Sequence, residues 1–215
     1  MESTKTRILK KLLETDGYLS GQELCEQLGV SRTAVWKYMK QLKEEGYEIE
    51  AVQNKGYCLK DVPDVLGESE IKSRLHTRWA GQTLYYYDEI DSTNTQIKRL
   101  AEEDAPHGTL AVADYQSRGK GRRGRAWDSP HGSAIYMSIL FRPEIRPDRA
   151  SMLTLVIGLS VTQAIRSNLG LQAQIKWPND VVLNGKKLVG ILTEMSAQMN
   201  YIEYLVTGIG INANL

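Results

Sequence analysis

Over the first sixty residues the apolar positions recur at helical spacing and then switch to alternation. From Arg7 to Thr15, Ile8, Leu9, Leu12 and Leu13 form one helical face. Gly21 to Leu28 predicts a second, short helix that ends at Gly29, and Ser31 can cap a third through its hydroxyl. In that third helix Val35, Met39 and Leu42 fall at i, i+4 and i+7 and face inward, while Arg32, Thr33, Trp36, Lys37, Lys40 and Lys43 lie largely elsewhere. After Gly46, the segments Tyr47 to Val52 and Gly56 to Lys60 flank Gln53-Asn54-Lys55, so a hairpin follows. This order reads as a winged helix-turn-helix over residues 1–62.

Asp61 to Glu70 is acidic, carries Pro63 and Gly67, and interrupts the periodicity. The linker is therefore placed at residues 63–70 and the second domain at 71–215, with a short helix expected from Glu68 to Leu75. From Thr83 onward strands and helices alternate. The pattern gives a strand to Ile90, a helix from Ser92 to about Glu103, and strands over Thr109 to Ser117 and Ala134 to Phe141. A helix from about Ser151 to Asn168 follows, then a strand running into a turn at Pro178. In Ala134 to Phe141, Ile135, Met137, Ile139 and Phe141 share one face and Tyr136, Ser138 and Leu140 the other. The fold class is α+β: the winged module followed by a mixed α/β sheet domain.

Charge sharpens the reading of the first module. The 215-residue chain carries 27 Lys plus Arg against 26 Asp plus Glu, so any binding of a polyanion must come from local clustering. Ser31 to Lys43 holds four cations and no acid. A solvated helix normally mixes signs, whereas a recognition helix in a major groove does not. Ser31, Arg32, Thr33, Trp36, Lys37 and, at the wing, Lys55 are the expected DNA contacts. Such three-helix units also serve as protein-interaction modules; the single-sign face favours operator DNA.

Cys25 and Cys58 show no CxxC spacing, and His76, His107 and His131 are scattered, so no structural metal site is expected. The N-terminus leads into an amphipathic helix, and no run approaches membrane-spanning length. The expectation is a cytoplasmic protein with no membrane partner.

The second domain concentrates its chemistry at four points. Arg118 to Arg125 packs five cations and three glycines into eight residues, between two strands. Glycines let backbone N–H groups converge, and Arg or Lys adds charge that matches phosphate or carboxylate. Asp91-Ser92-Thr93-Asn94 stands at a helix start, where hydroxyls and free N–H groups can grip a polar ligand or simply cap the helix. In Lys176 to Asp180, Pro178 fixes a turn that aims Asn179 and Asp180. At Asn184-Gly185 a tight turn leads to Lys187 at the head of an apolar strand.

Taken together, DSTN, GKGRRGRAW, KWPND, KKLVGIL and GIGIN resemble the biotin protein ligases, specifically the bifunctional class that is also the biotin operon repressor. The resemblance covers nearly the whole chain. It implies a catalytic domain of the biotin/lipoate ligase type, with the small C-terminal β-barrel absent here. It also implies a two-step reaction. Biotin carboxylate attacks the α-phosphate of ATP, which comes with Mg²⁺, to give biotinyl-5′-AMP. A lysine of a biotin carrier domain then takes the acyl group.

By the same resemblance Arg122 and Lys187 are the catalytic cations. Ser92, Thr93, Asn94, Gln116, Lys120, Gly121, Arg122 and Lys187 are to hold biotin, and Arg123, Trp127, Asn179, Asp180 and Asn212 are to meet the adenylate. The crowded cations should leave the basic loop mobile until an anionic adenylate neutralises it. Ordered beside a sheet edge, the loop would then favour a ligand-promoted homodimer on a palindromic operator. Two other readings stay open: a biotin-sensing repressor without enzymatic activity, and a lipoate or octanoate ligase carrying a DNA module.

Overall fold

The computed structural model describes residues 3–214. The chain divides into two compact units, with the boundary between His76 and Thr77. In the first, α1 (Thr4–Glu14), α2 (Gly21–Leu28) and α3 (Arg32–Glu44) each start at a serine whose hydroxyl accepts a first-turn N–H: Ser3 from Thr6, Ser20 from Glu23, Ser31 from Ala34. That satisfies donors the helix itself cannot pair. Ile8, Leu9, Leu12, Leu24, Val35, Met39 and Leu42 close the core between the three helices.

The wing is the antiparallel hairpin β1 (Glu48–Val52) and β2 (Gly56–Asp61). It is tied to the α1–α2 connection, where Leu19 and Tyr57 exchange backbone hydrogen bonds of 2.8 and 2.9 Å. Gly56, at φ +110°, is required there, because a Cβ would run into the Leu19 carbonyl.

Helix α4 (Glu68–Arg74) forms as expected but belongs to the first unit, so the boundary falls later than the 63–70 linker. The physical reason is a set of polar contacts. The Tyr47 hydroxyl donates to Glu70 at 2.6 Å, and the Thr6 hydroxyl donates to Ser69 at 3.3 Å. Burial and the Glu70 carboxylate push the Tyr47 phenol well above its ordinary pKa, so it stays a donor.

The second unit is built on β3 (Leu84–Ile90), β4 (Leu110–Gln116), β5 (Ala134–Phe141), β6 (Gln174–Lys176), β7 (Asp180–Leu183), β8 (Lys186–Ala197) and β9 (Ile202–Asn212). They pair in the order β3-β4-β5-β9-β8-β7-β6, parallel between β3 and β4 and antiparallel elsewhere. Helix α5 (Thr93–Glu102) covers one face, where Ile97 and Leu100 meet Leu140 and Val206. Helix α6 (Ala150–Leu169) covers the other, where Ile157 and Ile165 meet Val181, Val189, Ile191 and Ile209. Both faces of β5 are thus occupied, as its two-sided pattern implied.

Contrary to the expectation that no run is long enough, Pro147–Leu169 has the length and hydropathy of a membrane span. Its apolarity has a local cause, since one side of it packs on the sheet. Two further features of the sheet position the site. Gly190, Gly208 and Gly210 open a groove on the α5 face of β8 and β9. And along β8 the strand β7 pairs only with Lys186–Gly190, so among the described residues β8 has β9 on one side and an open edge on the other from Leu192 onward.

Candidate functional site

The groove begins at the N-terminus of α5. Ser92 stands at the cap position but makes no side-chain cap bond. Gln116, at the end of β4, does this from 23 residues away, its Oε1 accepting from the Thr93 N–H at 2.9 Å. The β3–β4 register, with Ile90 opposite Gln116, brings those ends together. The Gln116 amide donates to Ser129 Oγ at 3.0 Å, and Ser129 donates to the Trp127 carbonyl at 3.0 Å.

Asn94 is buried beside it with both ends of its amide used. Nδ2 donates to Glu194 at 2.8 Å, and Oδ1 accepts from Ser138 at 2.6 Å. Lys98 pairs with the same Glu194 at 2.6 Å. Burial raises the Glu194 pKa, but the Lys98 and Asn94 bonds outweigh it and hold the carboxyl below the ordinary range.

The basic loop closes on itself. Gly121 N–H donates to the Arg125 carbonyl at 2.7 Å, and Arg122–Gly124 makes a short 3₁₀ turn with Arg123 at φ 57°. That turn aims the Arg122 guanidinium at Asn179 Oδ1, 2.7 Å away. Asn179 and Asp180 are presented by the turn after β6, whose Trp177–Pro178 bond is cis. Lys187 pairs with Asp180 at 2.8 Å and lies 5.0 Å from the centre of the Trp127 ring. The Trp127 indole rests on the glycine floor: a Cβ on Gly210 would come within 2.7 Å of it, and its N–H is buried with no partner.

Of the residues singled out from sequence, Ser92, Thr93, Asn94, Gln116, Lys120, Gly121, Arg122, Trp127, Asn179 and Lys187 line one cavity of about 60 Å³. Asp180 borders it through Lys187. Arg123 does not line it but faces a neighbouring cavity of about 540 Å³ with Met152, Leu155, Trp177 and Met195. Asn212 does not line the first cavity and donates instead to the Lys187 carbonyl at 3.2 Å. Sequence reasoning missed Lys98, Ser129, Ser138 and Glu194. Only Ser138 carried a signal, a hydroxyl inside an apolar alternation.

In the first unit Arg32, Thr33, Trp36 and Lys37 are all exposed along α3, and Trp36 is 60% exposed despite its size. Gln22 holds the Arg32 guanidinium at 2.9 Å. The Ser31 hydroxyl is engaged in capping, and Lys55 lies 5.5 Å from the Tyr18 ring centre at the wing.

Residues 86–212 match the biotin/lipoate A/B protein ligase family, and residues 4–58 match an HTH domain. The bifunctional ligase/repressor BirA of Bacillus spizizenii is 47% identical over 100% of this chain and 66% of its own length. That of Escherichia coli is 36% identical over 94% of this chain and 61% of its own. The chain thus spans about two thirds of the length of these relatives. Among solved structures, the Aquifex aeolicus biotin protein ligase in complex with biotin and ATP aligns at TM-score 0.51 and 38% identity, covering 62% of this chain and 53% of that one. The Leishmania major enzyme with biotinyl-5-AMP aligns at TM-score 0.54 and 25% identity, over 62% and 58% respectively.

Proposed function

The chain belongs to the biotin/lipoate A/B protein ligase family, and from there we propose that its second unit attaches biotin to a carrier-protein lysine through biotinyl-5′-AMP. The first unit binds operator DNA, making the protein a biotin-responsive repressor. One observation carries the ligase reading: the groove is polar at its inner end, apolar along its floor and cationic at its mouth. Biotin has that order of parts, with a ureido ring, an apolar chain and a carboxylate. A lipoyl or octanoyl tail has no N–H or C=O to offer the hydroxyls and amides that line the groove at Ser92, Thr93, Asn94 and Gln116, whereas a ureido ring has both.

In the first step a biotin carboxylate oxygen attacks the α-phosphorus of ATP, and pyrophosphate leaves with the electron pair of the broken P–O bond. Arg122 and Lys187 sit where charge grows on the phosphoryl oxygens, and a preorganised cation there lowers the barrier more than it stabilises substrate. Lys187 must exchange Asp180 for the ligand to do so. Asp180 and Asn179 would offer hard oxygens to a Mg²⁺ arriving with the nucleotide, and the ion would supply positive charge against the phosphates. In the second step the neutral carrier amine attacks the acyl carbon, the acyl C–O bond breaks with its electron pair leaving on AMP, and the nitrogen gives up one proton to solvent. Trp127 and Arg123 border the path to the nucleotide, and Asn212 steadies Lys187 through its carbonyl.

Calorimetry with biotin, lipoate and octanoate, together with pyrophosphate release under Mg–ATP, tests this reading. Biotin alone should bind tightly and trigger release. Equal binding of all three would favour the acyltransferase reading, and biotin binding without release would favour a sensor.

A ligand-promoted homodimer is supported by the open edge of β8 beside the cavity that Arg122 and Arg123 border. An unpaired edge can add a strand from a second copy. Sedimentation with and without biotinyl-5′-AMP checks it, and an unchanged monomer fraction at saturating ligand would exclude it.

A further inference from the structure

On the first unit an exposed arginine has its direction set by a neutral partner. Arg32 stands at the first position of α3, and its Nη2 donates to Gln22 Oε1 of α2 at 2.9 Å. The Gln22 amide is oriented in turn. Its Nε2 donates to Glu26 Oε1, one turn further along α2, at 2.7 Å. A guanidinium only donates and a carboxylate accepts, so the amide suits both neighbours in this orientation and would face each with the wrong group in the other.

The two helices that carry the pair are themselves fixed. Ser20 and Ser31 cap them, and Leu24, Leu28 and Val35 lock them into the core of the unit. Gln22, Glu26 and Arg32 are all exposed, so what they orient is offered to solvent. Gln22 and Arg32 line, with Lys55 of the wing, one cleft of about 400 Å³.

The kind of partner decides what this arrangement suits. A carboxylate at position 22 would cancel the guanidinium charge and compete with any acceptor that approached. A glutamine removes freedom of rotation and leaves the charge whole. Of the five guanidinium N–H groups one goes to Gln22, and four stay available to a ligand. A phosphate contact has no need of such fixing, since Lys37 and Lys43 on the same helix can reach phosphates as flexible point charges. A two-point contact to a base edge does need it, because guanine O6 and N7 are met by a planar fork laid along them. The first residues of a recognition helix are the ones that reach base edges.

We infer that Arg32 reads a guanine in operator DNA and that Gln22 is its positioning residue, holding the guanidinium in the direction from which both contacts form. The inference rests on the operator-binding reading above, and its failure can be told apart from the failure of that reading.

The test is a selection from a duplex library with a randomised segment, run on the full chain with biotin and Mg–ATP present and scored base by base. Arg32→Ala should flatten one guanine position of the selected site, where the wild type prefers guanine by about tenfold or more. Gln22→Ala should reduce that same preference to within about threefold and leave the other positions as they are. The salt slope should stay at its wild-type value, because no cation is removed. Gln22→Met keeps the length of the side chain without the amide and should behave like Gln22→Ala. In the Arg32→Ala background, Gln22→Ala should change nothing further.

An even loss of preference at every position in Gln22→Ala would overturn the inference, since that is how a merely structural residue behaves. Wild-type preference in either Gln22 variant would overturn it as well. So would a change at a different base, or a further change in the Arg32→Ala background, because Gln22 would then touch DNA itself. If Arg32→Ala lowered the salt slope by about one and altered no base preference, Arg32 would be a phosphate contact and the inference would fall. A wild type that enriches no sequence at all would remove the operator-binding reading, and this inference with it.

Discussion

Gln116→Leu isolates the long-range cap on α5. Leucine is close to glutamine in size and keeps the buried packing, but it has no polar atoms. Three bonds are lost together, the 2.9 Å acceptance from Thr93 N–H, the 3.1 Å acceptance from the Thr93 hydroxyl and the 3.0 Å donation to Ser129. The first matters more. The Thr93 N–H becomes a buried donor without a partner, at about 1–3 kcal/mol, and the usual value of an N-cap, about 0.5–2 kcal/mol, is that same bond counted another way. The Thr93 hydroxyl keeps its contact with Ser138 and Ser129 still donates to the Trp127 carbonyl, so the other two losses are about 0.5–1.5 kcal/mol each. Together they come to about 2–6 kcal/mol, felt where α5 meets the sheet. Hydrogen exchange read by mass spectrometry localises the effect, because amides in Thr93–Glu102 should lose protection by that amount while those in Arg32–Glu44 should not change. Protection of α5 within roughly 0.5 kcal/mol of wild type, the scatter expected between independent sites, would mean Gln116 is not its cap.

Lys187→Ala and Arg122→Gly should each slow biotinyl-5′-AMP formation by about 2.7 kcal/mol or more, on the order of a hundredfold; pyrophosphate release at the wild-type rate would take both off the catalytic list. Replacing Arg32, Thr33 and Lys37 with Ala should weaken operator binding, leave biotin affinity intact and lower the salt slope by about one for each phosphate no longer neutralised. Wild-type gel shifts would instead point to a protein-interaction module. In the second unit Glu194 and Asp91 both have depressed folded pKa values despite burial: Lys98 and Asn94 hold the first, and Arg99 and the Ser92 N–H hold the second. Their stabilisation is complete above the unfolded carboxylate range, about 4, and is lost as pH falls through the folded values. Denaturation of this unit should therefore become easier in acid, less steeply in Glu194→Gln; equal acid slopes in the two proteins would count against that carboxylate.

The parts of the fold visible in the sequence are those set by near neighbours. The cap at Ser31, the helix stop at Gly29, the wing turn and the alternation in β5 each depend on a few adjacent residues, and they fall where the pattern puts them. Arg122, Asn179 and Lys187, singled out by residue type, line one cavity. What escapes a local reading is what the sheet assembles. Gln116 reaches Thr93 across 23 positions and Glu194 reaches Asn94 across 100, and no local spacing marks either pair. Ser92 has a capping side chain at the right place, yet a distant amide caps the helix. Helix α4 joins the first unit for a related reason: its acidic residues have the composition of a solvated linker, and only the fold brings the Tyr47 hydroxyl to one of them.

Because the indole of Trp127 already lies over Gly190 and Gly210, the apolar floor of the groove is dry before any ligand arrives. A biotin chain that takes this floor exchanges one set of apolar contacts for another instead of shedding water from bare surface. Its binding should therefore show a less negative heat-capacity change than its buried apolar area alone implies, measurable by titration calorimetry at several temperatures. The displaced side chain gains in turn, since its orphaned N–H can pair with water or ligand once it leaves. Affinity at this floor is set by a competition between two occupants, one of which the polypeptide supplies itself.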